Sequence, residues 1–355
     1  MKKIVFTGGG TAGHITPNLA LIDALKGEYE CLYVGTDGME KELCAKRNIA
    51  FYEVPAVKLR RDAFFKNLLL PFKLSSCVKR AVKTLKEVKP DLVFSKGGYA
   101  ALPTVLAANK LKIPVLCHES DISPGITTKI TSRRAKKVLC AFEQAASKFA
   151  RGVYVGTPIP PSLISYKKTA IGSKPRLLIM GGSSGAKAIN EALSAALYRL
   201  TERFDVVHIT GKNKGDDILA PGYEKIEFCS DMPKLYSSVD IAVSRAGANS
   251  LFELLVLKIP TVAIPLEKAS RGDQIQNAEY FYGKGALSVL REGLLTADSL
   301  IDAVNKTYDE RDSIRASISA LPPIDGTKKI ISIIKEVIEN NNRTIKSSEN
   351  NFSAT

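Results

Sequence analysis

The stretch Ile4-Val5-Phe6-Thr7-Gly8-Gly9-Gly10-Thr11-Ala12-Gly13-His14 decides how the chain folds. Its apolar start reads as a buried strand, its glycines as a turn, and the residues from Thr16 to about Leu25 as a helix-like segment. A strand feeding a glycine-rich turn that opens a helix aims backbone N–H groups and the positive helix end at an anionic ligand. Gly8, Gly10 and Gly13 also fit G-x-G-x-x-G, and Asp37 lies about twenty residues on, where a dinucleotide enzyme has its ribose-binding acid. His14 separates the two readings, because an imidazole at a helix start serves a group transfer that needs a base beside a phosphate and serves nicotinamide chemistry not at all. A solvated histidine capping the helix is the other reading of the same residue.

Outward from this stretch, short apolar runs alternate with helical ones. Strands are expected at Lys3 to Phe6, Cys31 to Val34, Phe51 to Val54, Asp91 to Ser95, Pro114 to His118, Lys137 to Cys140 and Val153 to Val155, with helices such as Ala100 to Leu111 between them. That alternation predicts an α/β fold with a doubly wound parallel sheet, in which ligands bind beyond the carboxyl ends of the strands. Two polar clusters stand at such ends: Lys96-Gly97-Gly98-Tyr99 and His118-Glu119-Ser120-Asp121. Gly97 and Gly98 allow close backbone approach to a ligand or simply a tight turn, and Tyr99 offers a hydroxyl or a stacking face. His118 and Glu119 read either as functional groups or as a strand-end pair that orders the loop.

At 355 residues the chain has room for two domains. Gly156-Thr157-Pro158-Ile159-Pro160-Pro161 reads as a linker, since neither a helix nor a central strand accommodates that many prolines. The pattern then restarts with a strand at Arg176 to Met180, the loop Gly181-Gly182-Ser183-Ser184-Gly185-Ala186 and an Ala-rich helix from Lys187 to Leu200. The expected architecture is therefore two doubly wound, Rossmann-like domains facing a cleft. After a strand at Asp240 to Val243 comes Ser244-Arg245-Ala246-Gly247-Ala248-Asn249-Ser250, and Glu253 falls in the first turns of the helix that follows. A carboxylate there complements the helix dipole and can accept both hydroxyls of a ribose, or it is a plain surface acid. Asp273 and Gln274 occupy another carboxyl-end position.

Composition narrows the function. No segment approaches the roughly 18 apolar residues of a membrane span, and Met1-Lys2-Lys3 runs straight into a strand, which predicts a soluble cytoplasmic chain. The six cysteines have no metal-ligand spacing and read as buried thiols, with no disulfide framework or zinc site. Residues 1 to 160 carry 26 basic against 13 acidic side chains, whereas the remainder carries 25 against 23. The basic half should meet a polyanion, and without a nucleic-acid motif a membrane surface or phosphorylated substrate ranks above nucleic acid. Arg60, Arg61, Lys66 and Lys73, interleaved with Phe64, Phe65, Leu68 and Phe72, suit a patch lying on an anionic bilayer.

These motifs, in this order and spacing from about Lys3 to about Lys335, resemble the MurG family, the bacterial N-acetylglucosaminyltransferases that convert lipid I to lipid II in peptidoglycan synthesis. The resemblance implies a GT-B glycosyltransferase at the cytoplasmic face of the cell membrane, held there peripherally. Its partners would be UDP-N-acetylglucosamine, undecaprenyl-diphosphate-linked lipid I and an anionic membrane surface. It implies an acceptor and membrane-facing domain at 1–157 plus 325–340 and a UDP-sugar domain at 162–324, while the polar, Asn- and Ser-rich composition of 341–355 reads as a disordered tail. Carried over residue by residue, His14 is the base; Ser183, Cys229, Ala248, Asn249, Ser250, Glu253 and Gln274 bind the donor together with Thr11, Ala12, Gly13 and Asp121. Gly97, Gly98, Tyr99, His118 and Glu119 are left for the acceptor. The chain departs from many relatives at Asp121, where they have Asn, and at Pro160, where they have Arg. With no Asp-x-Asp element in the chain, neither metal nor cofactor is expected, and loop amides with a helix N-terminus take over the leaving diphosphate's charge. The alternatives are a GT-B enzyme acting on another lipid such as diacylglycerol, an NAD-dependent oxidoreductase, and a non-catalytic membrane scaffold.

Overall fold

The apolar runs form strands buried on both faces, the pattern of a parallel sheet covered by helices. The computed structural model describes residues 1–58, 70–165, 167–169, 172–182, 185–268 and 272–352. The chain divides into two units, Met1–Pro160 with Asp325–Thr355, and Pro161–Ile324.

In the first unit β1 (Lys3–Thr7), β2 (Glu30–Gly35), β3 (Ala50–Glu53), β4 (Leu92–Ser95), β5 (Val115–Glu119), β6 (Lys137–Cys140) and β7 (Gly152–Tyr154) make one parallel sheet in the order β3-β2-β1-β4-β5-β6-β7. The chain builds outward from β1 in one direction and resumes on its other side at β4. The switch point thus lies between β1 and β4, so the glycine loops after these two strands are neighbours at a ligand-binding position.

The second unit repeats the plan with β8 (Arg176–Met180), β9 (Asp205–Ile209), β10 (Tyr223–Ile226), β11 (Ile241–Ser244), β12 (Thr261–Ala263) and β13 (Ser288–Val289). Their order is β10-β9-β8-β11-β12-β13, again parallel, with the switch between β8 and β11. The strands at 205–209, 223–226 and 288–289 did not stand out in the sequence.

The helix Thr327–Phe352 returns to the first unit, where Ile330, Ile333, Ile334, Val337 and Ile338 are buried in one cluster with Ile4, Phe6, Leu19 and Leu139. A polar, disordered tail from residue 341 was expected; instead the helix continues to Phe352. Its docked portion supplies the nucleus, and Asn340 to Phe352 contains no Pro or Gly to stop it, so each further turn adds hydrogen bonds without a new nucleation cost.

Candidate active site

In the first unit the site is built on the glycine loop after β1. Two buried groups hold the start of that loop by hydrogen bonds, and a third, Glu40, packs against it. Asn18 donates to the Thr7 carbonyl at 3.2 Å, Tyr33 donates its hydroxyl proton to the Gly8 carbonyl at 2.8 Å, and Glu40 accepts from the Thr36 N–H and hydroxyl at 3.0 and 2.6 Å. A Cβ on Gly9 would lie 2.4 Å from the Glu40 carboxylate, so only glycine lets the loop close over this support.

The helix begins at Ala12 rather than near Thr16, one turn earlier than expected, and this sets His14 in its first turn. Thr11, the residue before the helix, places its hydroxyl 2.9 Å from His14 Nδ1. The loop after β4 meets the same imidazole. Gly98 has φ of +75°, and a Cβ there would sit 2.4 Å from the Gly9 carbonyl oxygen and 3.3 Å from the His14 ring; a Cβ on Gly10 would strike the Tyr99 ring at 2.5 Å. Residues 8–14 and 97–99, far apart in sequence, thus converge on one partly exposed histidine. Lys58 stands 5.8 Å over the Tyr99 ring and brings positive charge to the same place.

His118 and Glu119, expected at the acceptor, both make hydrogen bonds that tie loops of the first unit. His118 is wholly buried; its Nε2 donates to the Gly156 carbonyl at 3.0 Å, so Nδ1 is the acceptor, and Lys96 Nζ donates to it at 2.8 Å. Burial and the Lys96 charge push the imidazole well below its usual range and keep it neutral. Glu119 accepts from the Asp121 and Gly125 amides at 3.2 and 3.0 Å. Both of its oxygens therefore order the loop 120–125, which a strand-end carboxylate beside unpaired turn amides does at little desolvation cost. Lys96 also donates to Ser120 Oγ. Nothing in the sequence marked Lys96 beyond its place between a buried strand and Gly97. Asp37, the dinucleotide-type acid, is exposed and paired with Lys41 at 2.9 Å, an i,i+4 surface contact, and this leaves that reading without its ribose ligand.

In the second unit two helices start at the switch point, Lys187–Arg203 after β8 and Ala248–Val256 after β11, and neither has a side-chain cap. Their first-turn amides suit an anion. Gly185, at φ of +67°, approaches the Thr210 carbonyl so closely that a Cβ would lie 2.0 Å from its oxygen, which fixes the loop before the first of these helices. Ser183, expected at the diphosphate, lies outside the described residues. Ala248 is buried, and Asn249 and Ser250 are partly exposed in the opening turn of the second helix.

Glu253 is partly buried on that helix and accepts from the buried Tyr236 hydroxyl at 3.3 Å. Burial pushes its carboxyl up to about 7 against the lowering effect of Tyr236. Cys229 is partly exposed and close enough to Tyr236 to help raise that hydroxyl's pKa, which places three sequence positions from 229 to 253 in one neighbourhood. Tyr236 gave no signal in the sequence. Gln274, in the first turn of the helix Asp273–Tyr282, accepts the Leu266 N–H at 3.0 Å, so its amide donor end is the one a ligand would meet. Arg245 pairs with Glu292 and donates to the Ile264 carbonyl at 3.3 Å, pinning the ends of β11 and β12.

Of the basic, apolar patch, Arg60, Arg61, Phe64, Phe65, Lys66 and Leu68 lie outside the described residues. Phe72 is 77% exposed and Lys73 is exposed, both near the start of the helix Leu70–Val88. No helix among the described residues is long and apolar enough to cross a membrane.

Two Rossmann-like units with glycine loops at their switch points define a two-domain glycosyltransferase. Residues 4–140 match the glycosyltransferase family 28 N-terminal domain, and residues 176–342 match the glycosyltransferase family 28 C-terminal domain. A UDP-N-acetylglucosamine–N-acetylmuramyl-(pentapeptide) pyrophosphoryl-undecaprenol N-acetylglucosamine transferase of Lachnospira eligens is 43% identical, covering 95% of this chain and 99% of its own. The enzyme of the same name from Legionella pneumophila is 42% identical over 94% of this chain and 96% of its own. Among solved structures, MurG of Acinetobacter baumannii superposes with a TM-score of 0.73 at 28% identity, covering 95% of this chain and all of that one. The chain belongs to this family of N-acetylglucosaminyltransferases, the MurG family.

Proposed function

We propose that the protein moves N-acetylglucosamine from UDP-N-acetylglucosamine to the carbon 4 hydroxyl of the muramyl residue of lipid I, with inversion, and that His14 is the base. The observation that supports this most is the convergence of the Gly8–His14 and Gly97–Tyr99 loops on one imidazole at the switch point of the first unit. When His14 Nδ1–H donates to Thr11 Oγ1, the lone pair sits on Nε2. Nε2 takes the hydroxyl proton as the acceptor oxygen attacks the anomeric carbon, and the bond from that carbon to the diphosphate oxygen breaks. The departing UDP leaves with the electron pair, and the uncapped N-terminus of the helix Lys187–Arg203 faces its charge. In this reading Glu253 receives the ribose hydroxyls, the loop near Cys229 faces the uracil and the Gln274 amide donates to the sugar. Incubating the pure protein with labelled UDP-N-acetylglucosamine and either lipid I or diacylglycerol tests it: product with lipid I alone is expected, and product with diacylglycerol alone would assign another lipid acceptor.

Membrane attachment through the basic, apolar stretch from Val57 to Lys73 belongs to the same proposal. Phe72, 77% exposed beside Lys73, is the part of it whose side-chain exposure favours contact with lipid. The protein is expected to sediment with vesicles containing anionic lipid and to be released as added salt shortens the reach of its cations to about 10 Å near 0.1 M. Phe72→Ser should weaken that sedimentation severalfold without lowering the unfolding temperature, because an exposed ring contributes little to the core. Binding insensitive to salt, or equal binding to neutral vesicles, would remove the electrostatic part of the proposal.

A further inference from the structure

Lys96 is 3% exposed, yet it carries an ammonium group. Its backbone N–H donates to the Thr7 carbonyl at 2.9 Å, which joins the end of β4 to the end of β1, and its Cβ packs 3.1 Å from where a Gly8 Cβ would be. Its Nζ donates to His118 Nδ1 and to Ser120 Oγ, and His118 passes the restraint to the Gly156 carbonyl just beyond β7. The backbone of Lys96 therefore joins the ends of β4 and β1, and its buried cation ties that junction to the loop after β5 and, through His118, to the end of β7. The next two residues, Gly97 and Gly98, both have positive φ and lie against the His14 ring. A chain that must turn twice through left-handed backbone has little stiffness of its own, so its position depends on what anchors the residue before it.

We infer that Lys96 is a positioning residue whose buried ammonium holds the Gly97–Gly98 turn against His14 and so fixes the imidazole for proton transfer. The inference rests on the reading of His14 as the base. The groups facing the ammonium are His118 and Glu119 from β5, Asp121 from the loop beyond it and Cys140 from β6. The two carboxylates favour the charged form, but desolvation wins and lowers the amine to about 8. As pH rises past this value the amine loses its attraction to Glu119 and Asp121, and the anchor weakens.

The test uses the full chain with UDP-N-acetylglucosamine and lipid I, comparing wild type, Lys96→Met and Lys96→Arg across neutral to alkaline pH. Wild-type kcat should fall as pH passes about 8, while Lys96→Met should lose about tenfold in kcat at pH 7, keep the donor KM within about twofold and show no alkaline fall. Lys96→Arg, which stays charged, should retain more kcat than Lys96→Met and move the alkaline fall upward. A Lys96→Met enzyme with wild-type kcat, or one that keeps the wild-type alkaline fall, would overturn the inference. Should Lys96→Met fail to fold, Lys96→Arg decides, since a Lys96→Arg enzyme with the wild-type kcat and the wild-type alkaline profile would overturn the inference. Failure here is separable from failure of the base assignment, because His14→Ala would still lower kcat about 100-fold or more while Lys96→Met left it unchanged.

Discussion

His14→Ala is expected to lower kcat by about 100-fold or more and to leave UDP affinity nearly unchanged. The expectation follows from position. His14 lies in the first turn of the helix Ala12–Leu25, its Nδ1 is held 2.9 Å from the Thr11 hydroxyl, and the Gly98 backbone closes against its ring. In the proposed reading Ser183, Cys229 and Glu253 of the other unit hold the nucleotide, and the donor contacts expected of this unit, Thr11, Ala12, Gly13 and Asp121, do not include the imidazole, so removing it subtracts a proton acceptor and leaves those contacts in place. Turnover rates and calorimetry with UDP on the same preparation check both halves. Near-normal turnover would end the assignment, and since His118 and Glu119 are committed to buried hydrogen bonds, neither would be the natural replacement.

Glu253→Ala is expected to weaken UDP-N-acetylglucosamine binding by about 2 to 3 kcal/mol, on the order of 100-fold, because a carboxylate that accepts two hydroxyls makes two charge-assisted bonds. Its ionisation gives the prediction a second handle. Burial raises the carboxyl from 4.5 to about 7 in the free protein, while ribose hydroxyls favour the ionised form, so affinity should rise with pH through about 7 and a proton should be released on binding. Stability runs the other way: the contribution of the raised carboxyl is fully present below 4.5 and is lost as pH rises through about 7. Calorimetry at several pH values checks the binding sign, and Glu253→Gln should remove the pH dependence. Affinity unchanged in Glu253→Ala would leave the carboxylate as no more than the partner of Tyr236.

The framework of both units was legible because its signals are local. Ile4 to Phe6, Leu92 to Ser95 and Arg176 to Met180 are apolar runs that end at glycines, and a parallel sheet buries such runs on both faces. Most of the candidate site residues could be named for the same reason, since Gly8 to His14 and Gly97 to Tyr99 follow strands directly. What could not be read depends on partners distant in sequence. Lys96 meets His118 and Ser120 across 22 and 24 residues, and Tyr236 meets Glu253 across 17. His118 and Glu119 admitted two readings in the sequence because a buried loop tie and an acceptor contact present the same residues at the same strand end. The helix start was read one turn late, at Thr16, whereas the helix begins at Ala12 and takes His14 into its first turn.

The final helix carries a consequence for how the molecule is made. Ile330, Ile334 and Val337 fill the same cluster as Ile4, Ile15 and Leu21, so the apolar face of β1 and the helix after it is completed by residues translated after the whole second unit. During synthesis the first unit must wait, with that face uncovered, while the whole of Pro161–Ile324 is translated and can fold ahead of it. It also follows that residues 1–160 expressed alone would be an unsealed core rather than a minimal acceptor domain.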